Sequence, residues 1–340
     1  MTASEGAELE LAVPLDLAPM EPRSVAALPI GEGWQFEPKF DGFRCLAFRC
    51  RSALALRSKS GQPLGRYFPD LLAALGAATV DRFVLDGEIV IPEGEGSSFE
   101  ALQMRLHPAE SRVRKLAAEQ PARFVLFDLL VDGRGHDLRG LPLSDRRAAL
   151  EALAPALAED PAVVLGPCTL DRAEAETWLW RPVPGRDGVV AKRMDAPYHP
   201  GRGEAMVKVK RQRTADCVVG GFRYLRAEPE VGSLLLGLYD GEGRLHHVGF
   251  TSTVSRADRP AWTARLRALR GGAGFTGRTP GGPSRWNAGR QHTWEKLRPE
   301  LVVEVRFDHV SDGRFRHGTT LVRMRPDKAP AQCTLDQLDP

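Results

Sequence analysis

One lysine, Lys39, constrains the interpretation of this chain more than any other residue, because it follows an apolar stretch and precedes an Asp-Gly pair. The stretch is Phe36-Glu37-Pro38-Lys39-Phe40-Asp41-Gly42-Phe43-Arg44. Apolar neighbours favour burial, and burial disfavours an ammonium charge, so we expect a lowered pKa for Lys39. A neutral lysine amine is a nucleophile. The same residues also suit a plain β-hairpin that turns at Asp-Gly, and the stretch alone leaves both interpretations open.

Four further motifs place polar or aromatic groups on apolar strands. Carboxylates end one strand at Asp86-Gly87-Glu88 and begin another at Asp187, and carboxylate oxygens suit a hard cation such as Mg²⁺. Lys208 and Lys210 point to one face of a strand, where two cations repel unless an anion lies between them. Phe127 lies within a third strand. Taken singly, a strand-ending turn, a solvated edge and a core aromatic explain these motifs equally well.

Taken in order, the motifs resemble the signature of the covalent nucleotidyltransferases: the ATP-dependent DNA ligases, the RNA ligases and the mRNA capping enzymes. The K-x-D-G-x-R sequence from Lys39 to Arg44 resembles motif I of that superfamily. The later motifs are D-G-E ending at Glu88 (III), Phe127 (IIIa), D-G-V-V-A-K from Asp187 to Lys192 (IV), Lys208 and Lys210 (V), and R-x-D-K at Arg325, Asp327 and Lys328 (VI). The resemblance extends over residues 34–328, nearly the whole chain.

The resemblance implies a role for each matching residue. Lys39 is expected to attack the α-phosphate of ATP and form lysyl-AMP, and Glu88 and Asp187 to hold Mg²⁺, with Mn²⁺ as an alternative. Lys59 replaces the more usual arginine, and Asp187 the more usual glutamate. The expected nucleotide contacts are Glu37, Asp41, Gly42, Arg44, Lys59, Glu88, Phe127, Lys192, Lys208, Lys210, Arg325 and Lys328.

The segment Leu297–Phe307 resembles the V-x-E-V-x-F strand of the ATP-dependent DNA ligases. Two further segments, Thr214–Val219 and Ser284–Gly289, narrow the resemblance to the small bacterial C-type enzymes of that family. That subgroup implies the sealing of nicks in duplex DNA through lysyl-AMP and 5′-adenylated DNA, in repair. Two alternatives stay open. One is an RNA ligase or a GTP-dependent capping-type enzyme, and the other is a non-catalytic relative that binds nucleic acid.

We expect an α+β chain with two domains. The resemblance implies an adenylation domain of ATP-grasp-like antiparallel sheets with helices, followed by a C-terminal OB-fold β-barrel. The expected divisions are an N-terminal leader at 1–24 without regular structure, the adenylation domain at 25–213 and the OB domain at 214–340. The residue pattern itself predicts strands at 34–39 and 43–50, and one amphipathic helix over 98–118 with Phe99, Leu102, Leu106 and Val113 buried.

Charge and cysteine usage suggest partners and compartment. Residues 216–340 carry 19 Lys and Arg against 14 Asp and Glu, whereas the rest of the chain carries 28 against 30, so the C-terminal part suits a polyanion. The five scattered cysteines indicate a reducing cytosol. Since neither a signal peptide nor a membrane span is evident, we expect a cytoplasmic, nucleoid-associated monomer. Its expected partners are nicked double-stranded DNA and repair or end-joining proteins, with no membrane.

Overall fold

The structure is a computed structural model that describes residues 10–157, 161–181, 183–211, 213–225, 229–281 and 293–338. The chain divides into two compact units, residues 1–211 and 212–340. Within the described ranges, no helix combines the length and the apolar character that crossing a membrane requires.

Unit 1 contains eleven strands and five helices among its described residues. The strands are β1 (Met20–Ser24), β2 (Trp34–Phe40), β3 (Phe43–Cys50), β4 (Ala53–Ser58), β5 (Arg82–Val90), β6 (Pro92–Glu93), β7 (Gly96–Ser97), β8 (Arg123–Val131), β9 (Val163–Leu165), β10 (Arg186–Arg193) and β11 (Gly201–Lys210). The helices are α1 (Pro69–Gly76), α2 (Phe99–Met104), α3 (Glu110–Glu119), α4 (Leu143–Leu157) and α5 (Arg172–Trp180).

Two main sheets form unit 1, one of five strands in the order β4-β3-β5-β8-β9 and one of four in the order β1-β11-β10-β2. Most pairs are antiparallel, as expected. The edge pairs β8–β9 and β1–β11 are parallel, so both sheets are mixed and the prediction of purely antiparallel sheets is corrected. The expectation of an irregular leader is also wrong for Met20–Ser24, because this segment forms β1.

The hairpin interpretation of residues 36–44 is wrong, because β2 and β3 belong to different sheets. The chain crosses between the sheets at Asp41-Gly42, where the Asp41 N–H donates to the carbonyl oxygen of Gly185 at 2.8 Å. A Cβ atom at Gly42 would lie only 2.3 Å from the carbonyl oxygen of Ile89 on β5. Glycine is therefore required by the close approach of two backbones and not by a hairpin turn.

The five-stranded sheet is buried on both faces, which explains why β5 and β8 are apolar almost throughout. Ala47 on β3 faces a core that α1, α2 and α4 complete. Its neighbours Leu46 and Phe48 face the opposite core, where they pack with Met20 of β1 and Tyr198. Alternation along one strand thus fills both cores.

The helix expected over residues 98–118 is two helices, α2 and α3. Leu102 and Val113 are buried as predicted, and Phe99 is partly buried and packs against the core. Leu106 is 47% exposed, so its assignment to the buried face is wrong. The break spans residues 105–109 and contains Pro108, and proline disfavours helical backbone in the residue that precedes it.

Unit 2 contains a six-stranded sheet in the order β14-β13-β12-β16-β19, with β15 beside β12, and a two-stranded ribbon of β17 and β18. Its elements are β12 (Arg213–Tyr224), β13 (Val231–Tyr239), β14 (Leu245–Thr251), α6 (Arg259–Ala268), β15 (Glu295–Lys296), β16 (Val302–Phe307), β17 (Val310–Ser311), β18 (Arg314–Phe315) and β19 (Thr320–Met324).

The sheet of unit 2 is not a closed barrel over the residues that the structure describes, so the barrel prediction is corrected. Its outer strands β14 and β19 meet only at one isolated bridge between Thr251 and Thr319. The Thr251 hydroxyl donates to the carbonyl oxygen of Thr319 at 2.8 Å. Strand β19 has five residues and offers no ladder to β14 beyond this point. The α+β class itself is confirmed. The segment Ser284–Gly289, used above for the subgroup resemblance, lies outside the described residues.

Candidate active site

Lys39 and Asp187 form an ion pair with two points of contact in the candidate site. Lys39 Nζ donates to Asp187 Oδ1 at 2.7 Å and to Oδ2 at 2.9 Å, and the Asp187 side chain is only 8% exposed. The β2–β10 register shifts between Arg186 and Gly188, so Asp187 is the extra residue of a β-bulge. A bulge redirects a side chain, which explains how a strand residue beside Gly188 points at the lysine.

A second ion pair lies on the same two strands. Lys192 Nζ is 2.8 Å from Glu37 Oε2, and both side chains are almost fully buried. Glu37 Oε1 accepts a second hydrogen bond from Gln35 Nε2 at 2.8 Å. Buried charges persist when they are paired in this way, so Glu37 fixes the position of Lys192.

Phe127 lies against two cations. The Arg44 guanidinium is 4.3 Å from the ring centroid, and Lys192 Nζ is 4.5 Å from it. Arg44 is itself held by Asp86, which accepts from its Nε at 2.5 Å and from its Nη2 at 2.7 Å. The Tyr198 hydroxyl donates to the same carboxylate at 2.6 Å.

Tyr198 is a site-supporting residue that sequence reasoning missed. It lies between β10 and β11 and is 2% exposed. A lone tyrosine in a polar loop carries no spacing signal, and only the fold brings it next to Asp86.

Glu88 lies two residues after Asp86 on β5 and therefore on the same side of that strand. Burial raises the pKa of Glu88 to about 7, although Arg44 and Lys39 act to lower it. Among the described residues, no hydrogen bond or ion pair reaches this carboxylate. A partly buried carboxylate without a partner is chemically suited to a cation.

The lysines of β11 differ from one another. Lys210 Nζ lies 3.6 Å from Asp187 Oδ2. Lys208 forms no ion pair within the described ranges, and burial, followed by the charges of Lys39 and Lys210, lowers its pKa. Lys208 is therefore the cation of this site most in need of an anion. Lys59 Nζ pairs with Glu21 at 2.9 Å and is 54% exposed.

One pocket of unit 1 brings eight of the expected site residues together. These lining residues are Glu37, Lys39, Arg44, Lys59, Glu88, Phe127, Lys192 and Lys208. Asp187 and Lys210 are connected to the pocket through their contacts with Lys39 and with each other. Asp41 and Gly42 form the crossing between the sheets that follows Lys39. Five cationic side chains line this pocket against three carboxylates, Glu21, Glu37 and Glu88, and this excess of positive charge favours a polyanionic ligand.

Arg325 and Lys328 belong to unit 2, where they share one carboxylate. Arg325 Nη1 is 2.8 Å and Lys328 Nζ is 2.7 Å from Asp216. Arg325 also donates to Asp327 and holds the pKa of that carboxyl at about 2. Gln337 in turn donates to the backbone carbonyl of Asp216 and accepts from its N–H. Asp216 was not among the expected site residues, although it lies in the segment Thr214–Val219.

Over the described residues, no group of three or more His, Cys, Asp or Glu side chains is arranged to hold a metal ion. Mg²⁺ does not require such a group, because it binds through one or two carboxylates together with substrate phosphates. Glu88 is one carboxylate that could hold Mg²⁺ in this way. Asp187 could be a second one only after its ion pair with Lys39 has broken.

Comparison with known proteins identifies the family. The family described as "ATP dependent DNA ligase domain" matches residues 23–210, and "ATP dependent DNA ligase C terminal region" matches residues 227–328. The chain is 45% identical to DNA ligase C2 of Mycolicibacterium smegmatis and 42% identical to DNA ligase C of Mycobacterium tuberculosis, each over 97% of this chain and 96% of the relative. The solved ligase domain of M. tuberculosis LigD has a TM-score of 0.50 at 31% identity, over 94% of this chain and 98% of that domain.

The chain therefore belongs to the ATP-dependent DNA ligases. It is an enzyme of the class that joins DNA ends through ATP-driven phosphodiester formation. The resemblance to the C-type subgroup is confirmed, and the comparisons do not favour the RNA ligase, capping or non-catalytic alternatives.

Proposed function

We propose that Lys39 is the residue that carries AMP during nick sealing. The neutral Nζ attacks the α-phosphorus of ATP, the N–P bond forms as the bond to the β-phosphate breaks, and pyrophosphate leaves. An oxygen of the 5′-phosphate at the nick then attacks the same phosphorus and releases Lys39. Finally the 3′-hydroxyl attacks the 5′-phosphorus and AMP departs.

The observation that carries this proposal is the position of Lys39 in the pocket. Its ammonium is held at two points by Asp187, and Lys208 supplies a nearby cation without a carboxylate partner among the described residues. An α-phosphate between Lys39 and Lys208 would neutralise the positive charge of Lys208. It would also place the phosphorus within reach of the Lys39 amine. Positioned cations also stabilise the charge that develops during phosphoryl transfer.

The contact between Lys39 and Asp187 must break before the reaction. While Asp187 accepts from the ammonium, that nitrogen carries its proton and has no lone pair for attack. We propose that the incoming nucleotide separates the two and that Lys39 loses its proton to water. Asp187 thus orients the nucleophile in the absence of ATP.

Glu88 is the residue best suited to hold Mg²⁺, with Asp187 as a second carboxylate after Lys39 leaves it. When bound, the metal would neutralise charge on the transferring phosphoryl group. Glu88 is suited to this role because its carboxylate is partly buried and has no protein partner within the described residues. Mn²⁺ has the same ligand preferences and is an alternative.

For the nucleotide base, we propose the wall formed by Phe127, Lys192 and Glu37. Because Arg44 and Lys192 already lie against the Phe127 ring, stacking of adenine would displace one of these cations from it. In unit 2, Arg325 and Lys328 are proposed to bind the β- and γ-phosphates, in exchange for their contacts with Asp216. Lys59, Lys210, Asp41, Gly42 and Arg44 complete the proposed nucleotide contacts.

The test is labelling with α-³²P-ATP and Mg²⁺ followed by a denaturing gel. We expect a labelled, acid-labile band for the wild type and none for Lys39→Ala or Lys39→Arg. Lys115→Ala, an exposed lysine paired with Glu119, is the matched control and should label normally. Label from GTP instead of ATP would favour capping chemistry, and equal labelling of Lys39→Ala would rule out Lys39.

We further propose that the enzyme acts as a cytoplasmic, nucleoid-associated monomer in repair of nicked duplex DNA, with end-joining proteins as partners. The uneven charge along the chain supports a polyanionic substrate. Light scattering should give the mass of one chain, 37.3 kDa. A dimer mass would contradict the monomer, and absence of co-purifying repair proteins from cells would contradict the partners.

A further inference from the structure

Unit 2 contains a basic cluster that the proposed mechanism does not use, formed by Arg223, Arg278 and Arg314 around His247. His247 lies on β14 and is 5% exposed. Arg223 lies on β12, Arg314 on β18 and Arg278 in the segment that follows α6. All three guanidinium groups act to lower the pKa of His247, so all three lie close to one imidazole.

The strand register places two members of the cluster, Arg223 and His247, on one side of the sheet. Arg223 pairs with Ser233 on β13, and His247 pairs with Gly237 on the same strand. Ser233 and Gly237 are four residues apart, so residues opposite them share one face. Phe250 lies on β14 together with His247, and its side chain is 40% exposed.

His247 is a neutral hydrogen-bond donor in this environment. Burial, followed by the charges of Arg314 and Arg223, lowers its pKa to about 3. Arg314 Nη2 lies 3.2 Å from His247 Nδ1. A guanidinium has only donors, so Nδ1 accepts and the proton of the neutral ring is on Nε2. That Nε2 is buried without a hydrogen-bond partner among the described residues.

Among the described residues, the arginines of the cluster also form no close contact with a carboxylate, although the charge of Asp312 acts to raise the pKa of Arg314. Within the described ranges, none of the three forms an ion pair, and Arg223 Nε is buried without an acceptor. The Arg278 guanidinium donates to the backbone carbonyl of Asp312 at 3.1 Å, and the Arg278 backbone N–H donates to His246 Nδ1 at 3.2 Å. Burial lowers the pKa of Arg223 and of Arg314, which shows that their charges are held against a desolvation cost.

Other arginines of the same unit behave differently. Arg270 pairs with Glu295 at 2.7 Å, and Arg298 pairs with Glu300 at 2.8 Å. Three neighbouring cations and two unused buried donors, with no ion pair within the described ranges, therefore distinguish the cluster from an ordinary solvated basic surface. Such a set of donors is complementary to a phosphate group.

We propose that Arg223, Arg278, Arg314 and the Nε2 proton of His247 form a binding site for one backbone phosphate of duplex DNA. This proposal rests on the proposed function only in taking duplex DNA as the molecule that carries the phosphate. A phosphodiester is favoured over a free anion because an exposed aromatic, Phe250, lies on the same strand as His247 and offers a surface for a sugar or base. A phosphodiester of DNA and free inorganic phosphate both present phosphate oxygens, and the experiment distinguishes between these two ligands.

The experiment is the salt dependence of binding to a nicked duplex that lacks a 3′-hydroxyl and cannot be sealed. For Arg314→Gln and Arg223→Gln we expect a slope of log Kd against log salt that is smaller by about 0.9, the value of one lost phosphate contact. At low salt, Kd should rise about tenfold. Arg270→Gln, which removes the same charge from an ion-paired position, should keep the wild-type slope.

The thermal midpoint of each variant shows whether the variant is folded. A second control, Arg314→Lys, keeps the charge and should keep most of the slope of log Kd against log salt. Unchanged slopes in both glutamine variants, or an equal decrease in Arg270→Gln, would overturn the proposal. Loss of inorganic phosphate binding by ³¹P NMR with an unchanged DNA slope would assign the cluster to a free anion, which also overturns it.

Labelling of Lys39 without DNA is measured in the same variants. Normal labelling with a smaller slope supports the cluster and leaves the proposed function intact. Absence of labelling in the wild type would contradict the proposed function alone, because the DNA slope does not depend on it.

Discussion

The two units hold their signature cations in different ways. In unit 1, Lys39 pairs with Asp187, which Lys210 also approaches at 3.6 Å, and Lys192 pairs with Glu37. In unit 2, Arg325 and Lys328 share the carboxylate Asp216, and Arg325 pairs with Asp327 as well. Both cations are about one-fifth exposed. The Lys192–Glu37 pair, in contrast, is almost completely buried.

This difference determines what a phosphate must displace in each unit. Removal of one partner from a buried pair leaves an uncompensated charge and costs about 3–5 kcal/mol, whereas an exposed pair contributes about 0–1 kcal/mol. We therefore expect the Lys192–Glu37 pair of unit 1 to keep its geometry when ATP binds. The Lys39–Asp187 pair and the Arg325–Asp216 pair of unit 2, whose cations are each 19% exposed, exchange partners more readily. The following predictions test this contrast, beginning with the largest expected effect.

The individual pairing in unit 1 is tested by Asp187→Asn. Loss of the two-point contact releases Lys39, and a misplaced nucleophile should slow adenylylation about 100-fold. Single-turnover labelling in a quench-flow instrument measures this rate. Asp187→Glu, the residue more usual in the superfamily, should retain most of the rate, and Asp195→Asn serves as an exposed control. Wild-type speed in Asp187→Asn would show that the ion pair is not needed for orientation.

The unpaired carboxylate of unit 1 is tested by the pH dependence of stability. Because the pKa of Glu88 in the folded chain is about 7, above its ordinary value of 4.5, its contribution is present below pH 4.5 and is lost as pH rises through 7. Glu88→Gln should therefore be more stable than the wild type at pH 8, by about 3 kcal/mol, with no advantage at pH 4.5.

Thermal midpoints of Glu88→Gln and of the control Glu119→Gln check this over pH 4.5–8. Mg²⁺ should raise the midpoint of the wild type at pH 8 but not that of Glu88→Gln. A difference that is constant with pH would contradict the assignment. Asp327 in unit 2 has the opposite shift, so its contribution is lost only as pH falls through about 2.

The shared pairing in unit 2 is tested by Asp216→Asn. Without this carboxylate, Arg325 and Lys328 lose their common anchor, and we expect adenylylation to slow about tenfold with a higher KM for ATP. Sealing of a nick that is already adenylated should be unaffected, which separates positioning from general damage. Asp258→Asn is the exposed control. Equal losses in both steps would indicate a folding defect.

The smallest effect is expected at Arg323, whose pair with Glu304 is 2.7 Å long and 59% exposed on the arginine side. Arg323→Gln should lower the free energy of unfolding by no more than about 0.5 kcal/mol. Urea titration measures it. A loss comparable to that of Asp216→Asn would show that the exposed pairs of unit 2 act as one network.

The sequence predicted much of unit 1, for physical reasons that particular residues illustrate. Strands β2 and β3 were predicted nearly at their observed bounds, because dense apolar runs meet a clear breaker at Asp41-Gly42. The sequence did not predict β1, since its residues Met20–Ser24 have no apolar alternation and pair only with the distant β11. Helix α5 was missed because its capping residue Asp171 lies in a polar region with little apolar periodicity.

The site residues, like the strands, were predicted only in part. Motif spacing identified the residues that line the pocket, but it gave no information on which of them pair. The contacts Asp86 to Arg44, Tyr198 to Asp86 and Asp216 to Arg325 all join positions more than 40 residues apart. Such contacts depend on tertiary packing, which local patterns do not encode.

The crossing at Asp41-Gly42 has a consequence for the order in which the enzyme is made. Because β2 leaves its neighbour β3 for another sheet, the strand that carries Lys39 has its main pairing with β10, which emerges from the ribosome nearly 150 residues later. Until Arg186–Arg193 have been synthesised, the proposed nucleophile Lys39 has neither its sheet nor Asp187. A nascent chain that stops before β10 therefore carries a motif I lysine without a site, and reactivity towards ATP arises late in translation, after the five-stranded sheet has all its strands.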